Sequence, residues 1–62
     1  MPDKKRILVV DDENLMLKML SDGLISRGYE VEEAKSGEEA IDTALRSLPD
    51  VILLDVVMPG ID

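Results

Sequence analysis

The chain has 62 residues, no cysteine, and seven Lys and Arg against fourteen Asp and Glu, a net charge of −7. That size allows one domain with a thin stability margin, since a chain this short buries only roughly 60% of the surface its unfolded form exposes. The absence of cysteine removes disulfides and thiolate metal sites, and the negative charge offers no basic stripe to a phosphate backbone, so nucleic-acid binding is not expected.

Met1-Pro2-Asp3-Lys4-Lys5-Arg6 is basic, but the apolar run behind it, Ile7 to Val10, is far too short for a signal-peptide core or a membrane span. A cytoplasmic protein with no membrane partner is the expectation. Ile7-Leu8-Val9-Val10 is continuous, rich in β-branched residues and stopped by Asp11-Asp12-Glu13, as in a strand buried on both faces of a helix-covered parallel sheet.

From Asn14 to Arg27, residues Met16, Leu17, Leu20 and Leu24 fall on one helical stripe, with Gly28 as the C-terminal stop. Leu15, Met19 and Ile25 lie off that stripe and widen the apolar arc, which points to packing against a neighbouring helix. Tyr29 to Ala34 reads as a strand with Val31 its buried candidate, and Glu30, Glu32 and Glu33 make it polar enough for a sheet edge. Ser36 and Glu39 stand three apart as a capping box, and Ala40, Ile41, Ala44, Leu45 and Leu48 form a helical core stripe ended by Pro49. Val51-Ile52-Leu53-Leu54 is again wholly apolar and predicts a buried central strand that ends in Asp55.

The predicted order is therefore β1 (about 6–10), α1 (about 14–27), β2 (about 30–34), α2 (about 37–48) and β3 (about 51–55), an α/β chain of two parallel crossovers in one domain. Ligands of such sheets gather at the carboxyl ends of the strands, where Asp11, Asp12 and Asp55 stand. If β1 and β3 are neighbours, three carboxylates converge, and their repulsion demands a proton or a cation. An all-oxygen cluster without His or Cys selects a hard ion, Mg²⁺ first. Each Asp also has a purely structural reading, because Asp after a buried strand is a common turn former or helix cap.

Three segments taken together, Ile7-Leu8-Val9-Val10-Asp11-Asp12-Glu13, Ser36-Gly37-Glu38-Glu39-Ala40 and Leu53-Leu54-Asp55-Val56-Val57-Met58-Pro59-Gly60, resemble the receiver domain of two-component response regulators. The resemblance covers essentially the whole chain. It implies a doubly wound, flavodoxin-like parallel sheet with strand order 2-1-3-4-5, of which the chain is expected to be a truncated N-terminal half, β1-α1-β2-α2-β3. It also implies that Asp55 accepts a phosphoryl group from a histidine kinase or phosphotransfer protein, that Asp11 and Asp12 hold Mg²⁺ together with Asp55, and that the backbone carbonyl of Val57 is a further ligand. A carboxylate is a weak nucleophile, and phosphoryl transfer needs positioning and charge neutralisation above all, which a bridging Mg²⁺ supplies.

The family's Ser or Thr after its fourth strand, its Lys after its fifth and the aromatic residue of its last strand have no counterpart in this segment. By analogy with oxyanion-hole deletions, each lost donor costs on the order of 10²- to 10³-fold in rate, so the chain alone is expected to be inactive or impaired in phosphoryl acceptance. The alternative is a self-assembling half-domain without signalling activity, because truncation would leave β3 as an unprotected apolar edge and favour a homodimer. A nucleotide enzyme finds no support: no Gly-Lys-Ser/Thr loop follows the first strand, and no Gly-x-Gly-x-x-Gly is present.

Overall fold

A computed structural model describes residues 4–54. Its elements run β1 Arg6–Val10, α1 Asn14–Ser26, β2 Glu30–Ala34, α2 Gly37–Ser47 and β3 Val51–Leu54. The three strands form one parallel sheet in the order β2-β1-β3. The register pairs Ile7 with Val31 and Val51, and Val10 with Ala34 and Leu54.

Because side chains alternate across a strand, β1 feeds two cores. Ile7 and Val9 pack with Leu17 of α1, backed by Leu24 and Val31. Leu8 and Val10 pack with Ala34 on the opposite face, backed by Ala40 and Ala44 of α2. The two helices thus cover opposite faces of β1 and β2, and the all-apolar sequence of β1 is explained by burial on both sides. The alanines on α2 keep that helix close to the sheet.

The helix ends follow the sequence signals. Gly28 adopts φ 96°, and the amides of Gly28 and Tyr29 donate to the carbonyls of Ile25 and Leu24 at 2.9 and 3.2 Å, the paired bonds of a Schellman stop. Ser36 Oγ accepts from the Glu39 amide at 3.1 Å, as a capping box requires, but the Glu39 carboxylate accepts from the Lys35 amide at 2.6 Å, one residue before the cap. At the far end of α2, Leu48 takes a left-handed φ of 51° before Pro49, and Arg6 Nη1 donates to the Ser47 carbonyl at 2.9 Å. Arg6 also donates through Nε to Glu30 at 3.3 Å, and its amide donates to the Asp50 carboxylate at 2.8 Å, so one residue ties the amino ends of all three strands to the end of α2.

Several burial expectations are corrected. The fully buried residue of β2 is Ala34, while Val31 is only half-buried. On α1 the sheet-facing line is Leu17, Ser21 and Leu24; Met16 and Leu20 are exposed at its flank. Ser21 is buried as a polar residue because its hydroxyl donates to Glu33 at 2.6 Å. On α2, Thr43 rather than Ile41, Leu45 or Leu48 is buried, and those three are 65–75% exposed. The largest difference is β3. Its composition predicts a buried central strand, whereas the half-domain reading makes it an edge; among the described residues Val51, Ile52, Leu53 and Leu54 are 39–51% exposed, because β3 pairs only with β1 and neither helix packs on it.

Candidate functional site at the carboxyl ends of the strands

Parallel strands present their carboxyl ends on one side of the sheet, so the ends of β1 and β3 lie side by side there, Val10 paired with Leu54. Asp11 leaves β1 directly and is 3% exposed. Two hydrogen bonds fix it. Its amide donates to the Ala34 carbonyl at 3.0 Å, tying the loop to the end of β2, and its Oδ1 accepts from the Glu13 amide at 2.9 Å. The second bond is an Asx turn that starts α1, where Glu13 itself makes no side-chain cap. The turn-former reading of Asp11 therefore holds, and it leaves the second carboxylate oxygen outside that bond.

Asp12 is exposed at the same end. Among the described residues the ion pairs are Arg6 with Glu30 and Lys18 with Asp22, so neither Asp11 nor Asp12 has a cationic partner there. A nearly buried carboxylate beside a second one, without a basic neighbour, is an environment that a hard cation complements. Asp55 and Val57 lie outside the described residues, and among the described residues no group of three acidic or His/Cys side chains comes together. The two described candidates, Asp11 and Asp12, are adjacent in the chain at the end of the central strand.

Beside Asp11 lies a largely apolar crevice of about 370 Å³ lined by Val10, Met16, Leu20, Leu53 and Leu54. The apolar period places Met16 and Leu20 on the sheet-facing stripe; they border this crevice instead. The helical period could have separated them, since Leu17, Ser21 and Leu24 follow the i, i+4, i+7 rule, but a buried Ser is not an apolar signal.

A sequence profile described as the response regulator receiver domain matches residues 7–62. The chain belongs to that family. Among similar proteins, the receiver is 51% identical over 57 residues to the response regulator PleD of Caulobacter vibrioides, spanning 92% of this chain and 13% of that protein. It is 47% identical over 58 residues to the alkaline phosphatase synthesis transcriptional regulatory protein PhoP of Bacillus subtilis, spanning 94% and 24%. The structure of the chemotaxis response regulator CheY4 of Vibrio cholerae superposes with a TM-score of 0.87 at 41% identity, covering 94% of this chain and 48% of that one. The chain thus spans about half of that structural neighbour and at most a quarter of these regulators. The strand order β2-β1-β3 is the amino-terminal half of the flavodoxin-like order implied by the resemblance. No helix among the described residues is long and apolar enough to cross a membrane.

Proposed function

We propose that this receiver accepts a phosphoryl group on Asp55, with Asp11, Asp12, Asp55 and the Val57 carbonyl as the Mg²⁺ ligands. The observation that carries the reading is the register of β1 and β3. Val10 pairs with Leu54, and in the sequence each is followed by an aspartate, Asp11 and Asp55. Consecutive Cα atoms are about 3.8 Å apart and neighbouring strands about 4.8 Å, so covalent connectivity holds Asp55 within one residue's reach of the strand end beside Asp11.

In the reaction a carboxylate oxygen of Asp55 attacks the phosphorus of a phosphohistidine, the P–N bond breaks with its electron pair returning to the imidazole, and an acyl phosphate forms. Asp11 is held by its Asx turn and by the Ala34 carbonyl, so its free oxygen is positioned before any ligand arrives. Mg²⁺, when bound, supplies the charge neutralisation that lets an anionic nucleophile meet an anionic phosphoryl group. The donor is a histidine kinase or phosphotransfer protein of the cytoplasm, and the exposed Leu15 and Met19 on α1 offer it an apolar contact.

The test is transfer from a phosphohistidine donor with Mg²⁺ present or chelated. The reading predicts a base-labile label on this chain that requires the metal. A label insensitive to chelation would refute the metal role, and no label at any donor concentration would refute phosphoryl acceptance.

A further inference from the structure

We infer that Ser21 is a positioning residue for the carboxylate site, acting through Glu33 to hold Asp11 where a cation can use it; this deepens the metal reading of Asp11 and rests on it. Ser21 lies on α1 and is 4% exposed, and its hydroxyl donates to Glu33 of β2 at 2.6 Å. Neither residue is one of the proposed ligands. Both belong to the α1–β2 side of the sheet, with β1 between β2 and β3.

The bond closes a ring that passes through Asp11. The Asp11 amide donates to the Ala34 carbonyl at 3.0 Å, and Ala34 follows Glu33 in the chain. From Glu33 the ring crosses to Ser21 and runs back along α1 for about two turns to Glu13, the residue before the helix. The Glu13 amide then donates to Asp11 Oδ1 at 2.9 Å. Both hydrogen bonds that fix Asp11 are therefore links of one closed path. The Ser21–Glu33 bond is the link that joins its helix side to its strand side.

The other contacts of α1 with the sheet are apolar: Leu17 and Leu24 pack with Ile7, Val9 and Val31. Apolar burial is non-directional and resists separation more than rotation. Among the described residues, Ser21 Oγ makes the one hydrogen bond between α1 and a strand, so it sets the rotation of the helix about its own axis. The register aims its partner correctly. Glu33 pairs with Val9, which packs under α1, so the two project to the same face. With Cα atoms about 2.3 Å from the helix axis, a rotation of about 20° moves each by about 0.8 Å. A binding constellation must be held to within about 0.5 Å. Serine is also a weaker helix former than alanine and is seldom buried, so neither helix formation nor packing accounts for it at this position.

Losing an outer partner of a metal ligand typically costs 10- to 100-fold in affinity, and Ser21 acts one step further out, so about tenfold is expected.

The experiment uses the 62-residue chain and two readouts. One is amide hydrogen exchange at Asp11 and Glu13, followed by nuclear magnetic resonance without divalent cations. The other is the Mg²⁺ dissociation constant from titration of the same resonances. Ser21→Ala should speed exchange at both amides and weaken Mg²⁺ binding about tenfold. Glu33→Leu, a change at an exposed position, should do the same from the strand side, and the double variant should be no worse than either single one. Ser21→Thr and Glu33→Gln keep a donor and an acceptor and should stay near the parent in both readouts. Leu24→Val thins the packing of α1 without removing a directional bond; it should lower the urea midpoint and leave both readouts at the parent's values. Unchanged exchange at Asp11 and Glu13 in Ser21→Ala, an equal change in Leu24→Val, or an unchanged Mg²⁺ constant where exchange has risen overturns the proposal. A parent chain whose resonances ignore Mg²⁺ refutes the metal reading instead, and the exchange measurement, which needs no cation, still decides whether Ser21 holds Asp11.

Discussion

Asp11 is assigned two tasks, an acceptor that starts α1 and a cation ligand, and substitution separates them. Asp11→Asn keeps an oxygen that can accept from the Glu13 amide, now 2.9 Å away, but removes the charge. Asp11→Ala removes both. A hydrogen bond to a charged acceptor contributes about 1.5–3 kcal/mol and a neutral one about 0.5–1.5 kcal/mol. Without divalent cations, Asp11→Ala should therefore lose about 1.5–3 kcal/mol. Asp11→Asn should lose less than about 1 kcal/mol, because it also relieves a nearly buried charge that has no basic partner among the described residues. Adding Mg²⁺ at about ten times its dissociation constant stabilises a one-site protein by about 1.4 kcal/mol. With a urea slope of about 1 kcal/mol per molar for so small a chain, the parent's midpoint should rise by about 1.4 M. The assay is urea unfolding followed by circular dichroism, with and without Mg²⁺, on all three proteins. An Asp11→Asn variant that keeps the full Mg²⁺ shift would show that Asp11 is not a ligand. One that is as unstable as Asp11→Ala before Mg²⁺ is added would show that the carboxylate charge, not the turn, holds the loop.

Three further substitutions test the fold beneath the site. Leu8 is fully buried on the central strand, so Leu8→Ala should cost about 2–5 kcal/mol, and urea titration should show much of the small stability of a 62-residue domain gone. Ser36→Ala removes the oxygen that accepts from the Glu39 amide and should cost about 1 kcal/mol, with Ser36→Thr recovering most of it in the same unfolding assay. Gly23 sits inside α1, and a Cβ added there meets no atom within 4 Å, so Gly23→Ala should raise stability by about 0.5–1 kcal/mol, read as a higher thermal midpoint.

Much of this arrangement is legible in the residues. The strand and helix bounds come from local chemistry: the β-branched runs of β1 and β3, the Ser36 cap, and Gly28 at φ 96°. Asp11 could be placed at a strand end from the stop in the apolar run alone. What the pattern does not carry is which apolar residues find a neighbour. Ile41, Leu45 and Leu48 have the spacing of a core stripe, yet α2 turns Ala40, Ala44 and Thr43 to the sheet, because small side chains allow the closest approach. Val51 to Leu54 have the composition of a central strand, but burial depends on helices that pack on them, and neither α1 nor α2 does. Ser21 carries no apolar signal for the converse reason: its burial rests on one hydrogen bond to Glu33, which links positions twelve residues apart. The pairing of Val10 with Leu54, the residues that precede Asp11 and Asp55 in the sequence, rests on the parallel register of β1 with β3, a non-local fact that only the order of elements and the family pattern anticipate.

The central claim is that the aspartate following β3 is the phosphoryl acceptor. The most direct measurement is site mapping of the phosphoryl group by tandem mass spectrometry, after the chain reacts with a phosphohistidine or acyl phosphate donor in Mg²⁺. The account predicts one modification, at Asp55, absent from Asp55→Asn. A phosphoryl group at any other residue of the parent chain, or undiminished modification of Asp55→Asn, would contradict it.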